Sequence, residues 1–261
     1  MIHPQTSPPY ISIIFPAYNE AAVIADTVTR TSSYFEQRGI SYEIIVAADG
    51  DDGTRERVRE LAAVNPRIFA LGHRERAGKG RGIREAVRTA RGTIVGYADA
   101  DYKVPIEEFA KIEPWFAKGY PVVIGTRAVE AKLIERKQPL YRRLGSVGFR
   151  TFMRCVVGLH TITDTQCGFK FFERDVARQL FASQKIDGYM FDVEVLALAQ
   201  SRGHRIKEVP IRWRDDGDSR LQLIAGNTRN VIDLFRIRRE MSRSHAESFA
   251  AEARVGGNPG K

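Results

Sequence analysis

Apolar and polar residues alternate with two different periods in the first half of the chain. Short runs rich in β-branched residues are separated by segments whose apolar residues recur at helical spacing. The runs are typical of buried strands, and the spaced positions are typical of amphipathic helices. Strands are predicted at 11–15, 42–48, 68–71, 93–98 and 122–125, with helices at 54–64 and 82–90, one between the first two strands and one beginning near residue 105. This order predicts an α/β fold, with a mostly parallel sheet flanked by helices.

The regular alternation ends after residue 125. Helices are predicted at 142–159, 190–202 and 230–241, and a strand is predicted at 207–213. No internal repeat and no linker interrupts the chain, so we predict one domain over residues 1–243, with 10–127 and 128–243 as its two halves. The residues from 244 to 261 are mostly small or polar and end in GGNPGK, which predicts a disordered tail.

Composition and charge restrict the class of protein. The chain has 261 residues, of which 43% are hydrophobic, enough for a sizeable core. Its net charge of +9 indicates an anionic partner, which could be nucleic acid, a phospholipid surface or a phosphorylated substrate. Because the lysines and arginines are scattered and no recognised nucleic-acid motif occurs, we expect no nucleic-acid partner.

The cysteines and the apolar runs bear on location. Cys155 and Cys167 belong to no CxxC pair, which indicates a reducing compartment and no zinc ribbon. The first ten residues lack the features of a signal peptide, and no apolar run is long enough to span a bilayer. We therefore expect a cytoplasmic protein that contacts a membrane only peripherally, on its inner face.

The stretch YADADYK, residues 97–103, places Asp99 and Asp101 at the end of a predicted strand. Two carboxylates so close together repel each other, so either a bound cation or full hydration must offset the repulsion. In open parallel sheets, ligands bind beyond the carboxyl ends of the strands, and this stretch lies at such an end. The residues by themselves leave a metal site and a polar turn both open.

Two further polar segments follow predicted strands. In PAYNE, residues 16–20, Pro16 is expected to end the first strand where a ligand could reach it, although a strand-to-helix turn capped by Asn19 is the favoured interpretation of the segment taken alone. In DGDDGT, residues 49–54, a turn into a helix explains the glycines and one aspartate but not all three. Both segments are expected at the same edge of the sheet as Asp99.

The segment RAGKGRG, residues 76–82, has a phosphate-loop composition with the wrong spacing. Gly80 stands where a Walker A loop has Ser or Thr, and Glu85 stands where a GxGxxG motif has its last glycine. With both motifs excluded, the segment is interpreted as a basic loop at the start of a helix, which could attract a diphosphate through its charge and its backbone N–H groups. A solvated basic loop is the alternative.

Taken in order, these segments resemble a known family. PAYNE, DGDDGT, RAGKGRGIREAV, YADAD, the GTR at 125–127 and the DTQCGFKFF at 164–172 are similar to the family 2 inverting glycosyltransferases of the GT-A (Rossmann-like) fold. Within them the resemblance is to polyprenyl-phosphate glycosyltransferases, above all the dolichyl-phosphate β-glucosyltransferases, and DTQCGFK is its most specific part. It implies that 10–127 is the nucleotide-sugar half and 128–243 the acceptor half.

The resemblance also implies roles for single residues in donor binding. Pro16, Tyr18 and Glu20 would line the nucleoside pocket, Asp49 would bind the base, Arg76 and Lys79 would face the nucleotide or its phosphates, Asp99 would contact the ribose or a metal-bound water, and Asp101 would bind Mg²⁺ or Mn²⁺. One departure concerns the base. The family usually has two adjacent aspartates after the second strand, whereas here Ala48 precedes Asp49.

The acceptor decides which further residues are needed. A polyprenyl phosphate is already ionised and needs only cations, for which Arg127 and Lys170 are the candidates, with Arg212 or Arg220 as further ones. A hydroxyl acceptor needs a general base, and Asp164 is the candidate. An N-cap or a loop-bracing aspartate is the alternative for Asp164.

The resemblance thus implies metal-dependent, inverting transfer of a sugar, glucose from UDP-glucose, to a polyprenyl phosphate at a membrane surface. Transfer to a soluble hydroxyl is one alternative, and a catalytically silent nucleotide-sugar-binding subunit of a membrane complex is another. The segment 230–239 mixes large apolar residues with arginines, which is typical either of an interfacial helix or of a core helix with solvated arginines.

Overall fold

A seven-stranded sheet forms the centre of the computed structural model, which describes residues 7–127, 156–214 and 228–255. The strands are β1 Ile11–Tyr18, β2 Tyr42–Asp49, β3 Ile68–Leu71, β4 Ile94–Ala98, β5 Val122–Thr126, β6 Phe169–Glu173 and β7 Ile206–Pro210. Their order is β3-β2-β1-β4-β6-β5-β7. Neighbouring strands are parallel except at β6, which is antiparallel to both β4 and β5. The predicted α/β class, with a mostly parallel sheet, is confirmed.

Helices cover both faces of the sheet. They are α1 Ile24–Gln37, α2 Thr54–Val64, α3 Lys79–Thr89, α4 Phe109–Ile112, α5 Pro114–Ala117, α6 Arg174–Ser183, α7 Phe191–Ser201 and α8 Thr228–Val255, with a 3₁₀ turn at Ile106–Glu108. Each face of the sheet has its own hydrophobic core, and successive residues of a strand belong to different cores because their side chains alternate between the faces. Ile14 packs with residues of α3, α6, α7 and α8, whereas Ile13 and Phe15 pack with residues of α1, α2 and α4.

The first strand is longer than predicted. Pro16 does not end it, because the parallel pairing with β2 continues through Pro16 to Tyr18. The pairing of β1 with β4 extends only from Ile11 to Ile14. Pro16 therefore has a strand neighbour on one side only, which is a position where proline is tolerated.

The second half contains elements that the apolar pattern missed. Strand β6 and helix α6 were not predicted, and the strand predicted at 207–213 is Ile206–Pro210. The helix predicted to end at residue 241 continues to Val255, so the segment predicted as a disordered tail begins as helix. Residues 243–255 are rich in Ala, Glu and Arg and contain neither Gly nor Pro, which favours helix. Of the helix predicted at 142–159, residues 142–155 lie outside the described residues.

Candidate active site

The predicted site residues meet at one edge of the sheet. Tyr18, Asp49 and Asp99 lie at or just beyond the carboxyl ends of β1, β2 and β4, and Arg127 directly follows β5. β1 is parallel to β2 and β4, and β5 runs in the same direction as β4 because β6, between them, is antiparallel to both. The carboxyl ends of these four strands therefore share one edge of the sheet. This is where ligands bind in open α/β sheets.

Strand β6 brings the DTQCGFK segment to the same edge. It runs opposite to β4, so its first residue, Phe169, pairs with the last residue of β4, Ala98. The backbone N–H of Asp99 donates to the carbonyl oxygen of Gly168 at 3.0 Å. An added Cβ at Gly168 would lie 2.1 Å from a carboxylate oxygen of Asp99. The close packing of this loop on Asp99 therefore requires glycine.

The two aspartates of YADADYK have separate cationic partners. The Lys79 ammonium lies 2.7 Å from Asp99 Oδ1, and the Lys103 ammonium lies 3.2 Å from Asp101 Oδ2. Burial raises the pKa of Asp99, but the charge and hydrogen bond of Lys79 outweigh it, so that this pKa lies below its ordinary value. The repulsion between the carboxylates is thus offset by two lysines.

The carboxylates are suited to a divalent ion that binds together with a phosphorylated ligand. The side chains of Asp99 and Asp101 are 44% and 37% exposed at the edge of the sheet, and they offer only oxygen ligands. Among the described residues, no three His, Cys, Asp or Glu side chains are grouped to hold a metal. Mg²⁺ is commonly held by one or two carboxylates plus substrate phosphates, and this donor set fits that pattern.

Asp49 holds the loop that carries the basic residues. Its Oδ1 accepts a hydrogen bond from the backbone N–H of His73 at 3.1 Å. Its Oδ2 accepts from the backbone N–H groups of Ala77 and Gly78 at 2.8 and 3.2 Å. Both carboxylate oxygens of Asp49 are thus engaged inside the protein, and the side chain is buried. Its predicted contact with the base stays a prediction.

The amino end of α3 is capped by a neighbouring loop. The N–H groups of Gly80 and Arg81 point to the carbonyl oxygen of Asp187, at 2.8 and 3.3 Å. The expectation that backbone N–H groups of this loop would bind a diphosphate is therefore wrong for the groups held by Asp49 and Asp187. The loop still offers the charges of Arg76 and Lys79.

Arg76 lies between two tyrosines. Its guanidinium carbon is 4.4 Å from the ring centre of Tyr18, and its Nη2 donates to the hydroxyl of Tyr189 at 3.0 Å. Pro16 and Glu20, on either side of Tyr18, are half-buried. Tyr189 was not among the predicted site residues, because it lies more than a hundred positions from Arg76 and belongs to no motif.

Asp164 and Arg127 form a bidentate pair. Arg127 Nε and Nη2 donate to the two carboxylate oxygens at 2.7 and 2.8 Å, and the Arg127 backbone N–H donates at 3.1 Å. Burial raises the pKa of Asp164, but the hydrogen bonds and charge of Arg127 outweigh this and place it below its ordinary value. The guanidinium also lies over the ring of Trp213, 5.6 Å from its centre.

Lys170 is completely buried rather than open to an acceptor. Its ammonium donates to Asp192 Oδ1 at 2.5 Å and to the carbonyl oxygen of Cys167 at 2.6 Å. The hydroxyl of Tyr97 donates to the same Asp192 oxygen at 2.5 Å. Lys170 has no exposed surface, so in this structure it cannot bind an acceptor phosphate as predicted. It instead joins β6, β4 and α7 beneath the site.

The other candidate cations are placed differently. The backbone N–H and side-chain Nε of Arg212 donate to the carboxylate of Glu108 at 3.1 and 2.6 Å, and the Arg212 side chain is 65% exposed. Arg220 lies outside the described residues. Of the described candidates for binding the acceptor, Arg127 lies at the site edge and Asp164 of DTQCGFK contacts it.

Comparison with known proteins identifies the family. Residues 12–181 match the family model described as Glycosyl transferase family 2. The chain belongs to glycosyltransferase family 2. This confirms the resemblance inferred from PAYNE, YADAD and DTQCGFK, and with it the enzyme class.

Curated relatives of this glycosyltransferase match most of its length. It is 36% identical over 240 residues to a dolichyl-phosphate beta-glucosyltransferase of Trichomonas vaginalis, covering 87% of this chain and 70% of the relative. It is 30% identical over 230 residues to the dolichyl-phosphate beta-glucosyltransferase of Homo sapiens, covering 81% and 69%.

A solved structure shares the fold of this glycosyltransferase. Glucosyl-3-phosphoglycerate synthase from Mycobacterium tuberculosis, in complex with Mn²⁺ and UDP-glucose, matches with a TM-score of 0.55 and 21% identity, over 88% of this chain and 79% of that one. In the described part of the present chain, no helix is both long and apolar enough to span a bilayer.

Proposed function

We propose that this glycosyltransferase transfers glucose from UDP-glucose to dolichyl phosphate or another polyprenyl phosphate at a membrane surface, with inversion at the sugar C1. The names of the curated relatives support the sugar and the acceptor. The solved structure with UDP-glucose and Mn²⁺ supports the donor class and the metal. The pairing of Asp164 with Arg127 supports a phosphate acceptor and carries the proposal.

A hydroxyl acceptor requires a base whose pKa lies near the working pH. Both oxygens of Asp164 accept hydrogen bonds from Arg127, and its pKa is below the ordinary carboxyl value. Such a carboxylate is a weak base. A phosphate monoester has a second pKa of about 6 and is largely ionised at neutral pH, so it needs no base. The state of Asp164 thus favours an acceptor that arrives already charged.

Arg127 is our candidate for binding the acceptor phosphate. Its side chain is 22% exposed, and the bidentate contact with Asp164 fixes the plane of the guanidinium. On the donor side, Lys79 and Arg76 supply positive charge for the diphosphate. In the transfer, an acceptor oxygen forms a bond to C1 while the bond from C1 to the diphosphate oxygen breaks, and the electron pair leaves with UDP. A single displacement of this kind inverts C1 and requires in-line alignment.

Asp101, with Asp99, would hold Mg²⁺ or Mn²⁺. When bound, such an ion neutralises the charge that develops on the diphosphate leaving group. Lys79 keeps Asp99 ionised and oriented through their 2.7 Å contact. Tyr102, directly after Asp101, has a φ of 54°, a left-handed backbone conformation that is unusual for a residue other than glycine.

The experiment combines the full chain with labelled UDP-glucose, Mn²⁺ and a short-chain polyprenyl phosphate in detergent. We expect a labelled glycolipid whose sugar is β-linked by NMR. Asp101→Asn is expected to lose most of the activity, because it removes a charged metal ligand. Asp175→Asn is the matched control, since Asp175 is 77% exposed on α6 and away from the site.

Three results would each contradict one part of the proposal: the acceptor, the donor or the metal. Label that appears only in a soluble alcohol would exclude the phosphate acceptor. Metal-dependent binding of GDP-mannose alone, in a panel with UDP-glucose, UDP-galactose and UDP-N-acetylglucosamine, would exclude the donor. Full activity of Asp101→Asn would exclude Asp101 as a required metal ligand.

A further inference from the structure

We propose that the outward face of α8 docks on the surface of a bilayer that contains anionic phospholipids. This inference rests on the proposed function only in that the acceptor there is a membrane lipid. The surface consists of the exposed residues of α8 between 228 and 242, which we call the α8 outer face.

One side of α8 is fixed to the body of the protein. Leu234, Ile237 and Met241 are 0%, 2% and 8% exposed and belong to the core shared with α3, α6 and α7. The same helix exposes two large apolar side chains on its opposite side, Ile232 at 52% and Phe235 at 54%. The core-helix interpretation is therefore confirmed for the inner side of this segment, and the interfacial interpretation stays a prediction for its outer side.

The charges of the α8 outer face have a single sign. Arg229, Arg236, Arg238 and Arg239 are exposed and lie around Ile232 and Phe235 in the helical repeat. The acidic residues of the same stretch are buried or paired. Every exposed charged residue between 228 and 242 is an arginine.

Two acidic residues occur in this stretch. Asp233 is 4% exposed and contacts Arg236 at 3.2 Å. Glu240 is half-buried and contacts Lys185 at 2.5 Å. Asp233 is therefore buried and the partly exposed Glu240 is neutralised by Lys185, so arginines provide the net charge of the α8 outer face.

Apolar side chains surrounded by arginines match the chemistry of a bilayer interface. Ile and Phe can enter the region between the headgroups and the acyl chains, while arginines bind lipid phosphates and extend to reach them. An RNA partner would not require the exposed apolar side chains. Charge complementarity with anionic headgroups and the two apolar side chains together favour a lipid surface as the occupant.

Helix α2 provides an internal comparison. It also exposes a large apolar residue, Val64, at 83%. Its exposed arginines are balanced, because Arg57 contacts Glu60 at 3.4 Å and Arg59 contacts Glu56 at 3.1 Å. Among the described residues, α8 thus differs from α2 because it exposes two large apolar side chains beside arginines and has no fully exposed carboxylate between 228 and 242.

The α8 outer face lies close to the catalytic edge of the protein. A cavity of about 350 Å³ separates α8 from the segment 185–188, and Arg229 and Arg236 are among its lining residues. Asp187 in that segment accepts the N–H of Gly80 at the start of α3, next to Lys79. One loop therefore lies between α8 and the donor side of the site, and docking would bring a lipid-bound acceptor near it.

Flotation of the full chain with vesicles tests the proposal without using the reaction. The probes are vesicles of phosphatidylcholine alone and vesicles with about 30% phosphatidylserine, whose anionic surface attracts arginines. We expect the protein to float with the second kind and to dissociate as salt is raised. Ile232→Ser with Phe235→Ser is expected to weaken binding at least about tenfold. Arg238→Gln with Arg239→Gln is expected to weaken it about fivefold per arginine.

The matched controls are Val64→Ser and the pair Arg57→Gln with Arg59→Gln on α2, which should bind as the unaltered protein does. Thermal melts by circular dichroism establish that each variant is folded. In detergent with a short-chain acceptor, the α8 variants should keep full transfer activity. If the unaltered protein transfers no sugar, the proposed function is contradicted. Vesicle binding, which does not depend on transfer, would still test the α8 outer face.

The proposal is overturned if the unaltered protein does not prefer anionic vesicles. It is also overturned if the α8 variants float as well as the controls. If light scattering instead shows that Ile232→Ser with Phe235→Ser converts a dimer to a monomer, the surface pairs with a second copy of the chain and not with lipid.

Discussion

Replacing Lys170 with methionine tests the interpretation of the buried charges beneath the site. In the structure the Lys170 ammonium is held by Asp192 and by the carbonyl oxygen of Cys167, and Tyr97 donates to the same Asp192 oxygen. Methionine approximates the length and volume of the lysine stem but carries no charge. The substitution therefore leaves the Asp192 carboxylate, whose side chain is 5% exposed, with its Tyr97 hydrogen bond and without its cation.

The expected cost follows from burial. Removing one partner of a buried ion pair typically costs about 3–5 kcal/mol, because the other charge is left uncompensated. With Lys170 at 0% exposure, we expect Lys170→Met to lower the free energy of unfolding by this amount. Since the free energy of unfolding of a domain is about 5–15 kcal/mol, the variant should be severely destabilised.

Urea unfolding followed by circular dichroism measures the effect. The control is the double variant with Asp192→Asn, which removes the stranded charge and keeps an oxygen for Tyr97. We expect the double variant to recover at least about 2 kcal/mol of the loss caused by Lys170→Met, because the two positions are directly coupled.

A loss of less than about 1 kcal/mol for Lys170→Met, outside the range for a buried pair, would refute the reasoning. So would a double variant that is no more stable than Lys170→Met. If Lys170→Met remained stable but lost affinity for the polyprenyl phosphate, Lys170 would regain the acceptor-binding role predicted from the sequence.

Three further predictions concern the catalytic edge. Gly168→Ala should lower the transfer rate at least about tenfold in a folded protein, checked by circular dichroism, because the new Cβ would lie 2.1 Å from an Asp99 oxygen. Lys79→Gln should weaken UDP-glucose binding in calorimetry, about tenfold for the loss of a charge-assisted contact, whereas unchanged binding would exclude Lys79 from the donor site. The pKa of Asp164 is lower in the folded protein than in the unfolded chain, where it is about 3.9. Its pairing with Arg127 therefore contributes fully to stability above about pH 3.9, and this contribution is lost as the pH falls from there through the lower pKa of the folded state. In urea melts, the stability advantage over Asp164→Asn should therefore shrink in acid; a constant difference would contradict the pairing.

Local spacing in the sequence was enough to predict the alternation of strands and helices in the first half. Each strand there is a short apolar run followed by a polar or glycine-rich turn, so local spacing was enough to place β1 to β5 in order. The position of Asp99 and Asp101 at a strand end also followed from the sequence, because parallel strands place their carboxyl ends at one edge. The motifs and their order were sufficient to recognise the family.

Residue partners were decided only by the tertiary structure. Asp49, Asp164 and Lys170 are polar residues in functional motifs, and sequence spacing does not distinguish a group that binds a ligand from one that binds another part of the protein. Their partners lie 22 to 37 positions away, in segments brought together by the sheet. Strand β6 was missed for a related reason, since its second residue, Lys170, is charged and becomes compatible with a buried strand only when Asp192 neutralises it.

The same limit applies to α8. Its sequence contains both apolar residues and arginines, and which of them face the core depends on where the helix packs against α7. The sequence thus determines which chemical groups occur and at what local spacing. The tertiary structure determines which of these groups are paired or buried inside the protein and which remain exposed, because that depends on contacts between segments distant in the chain.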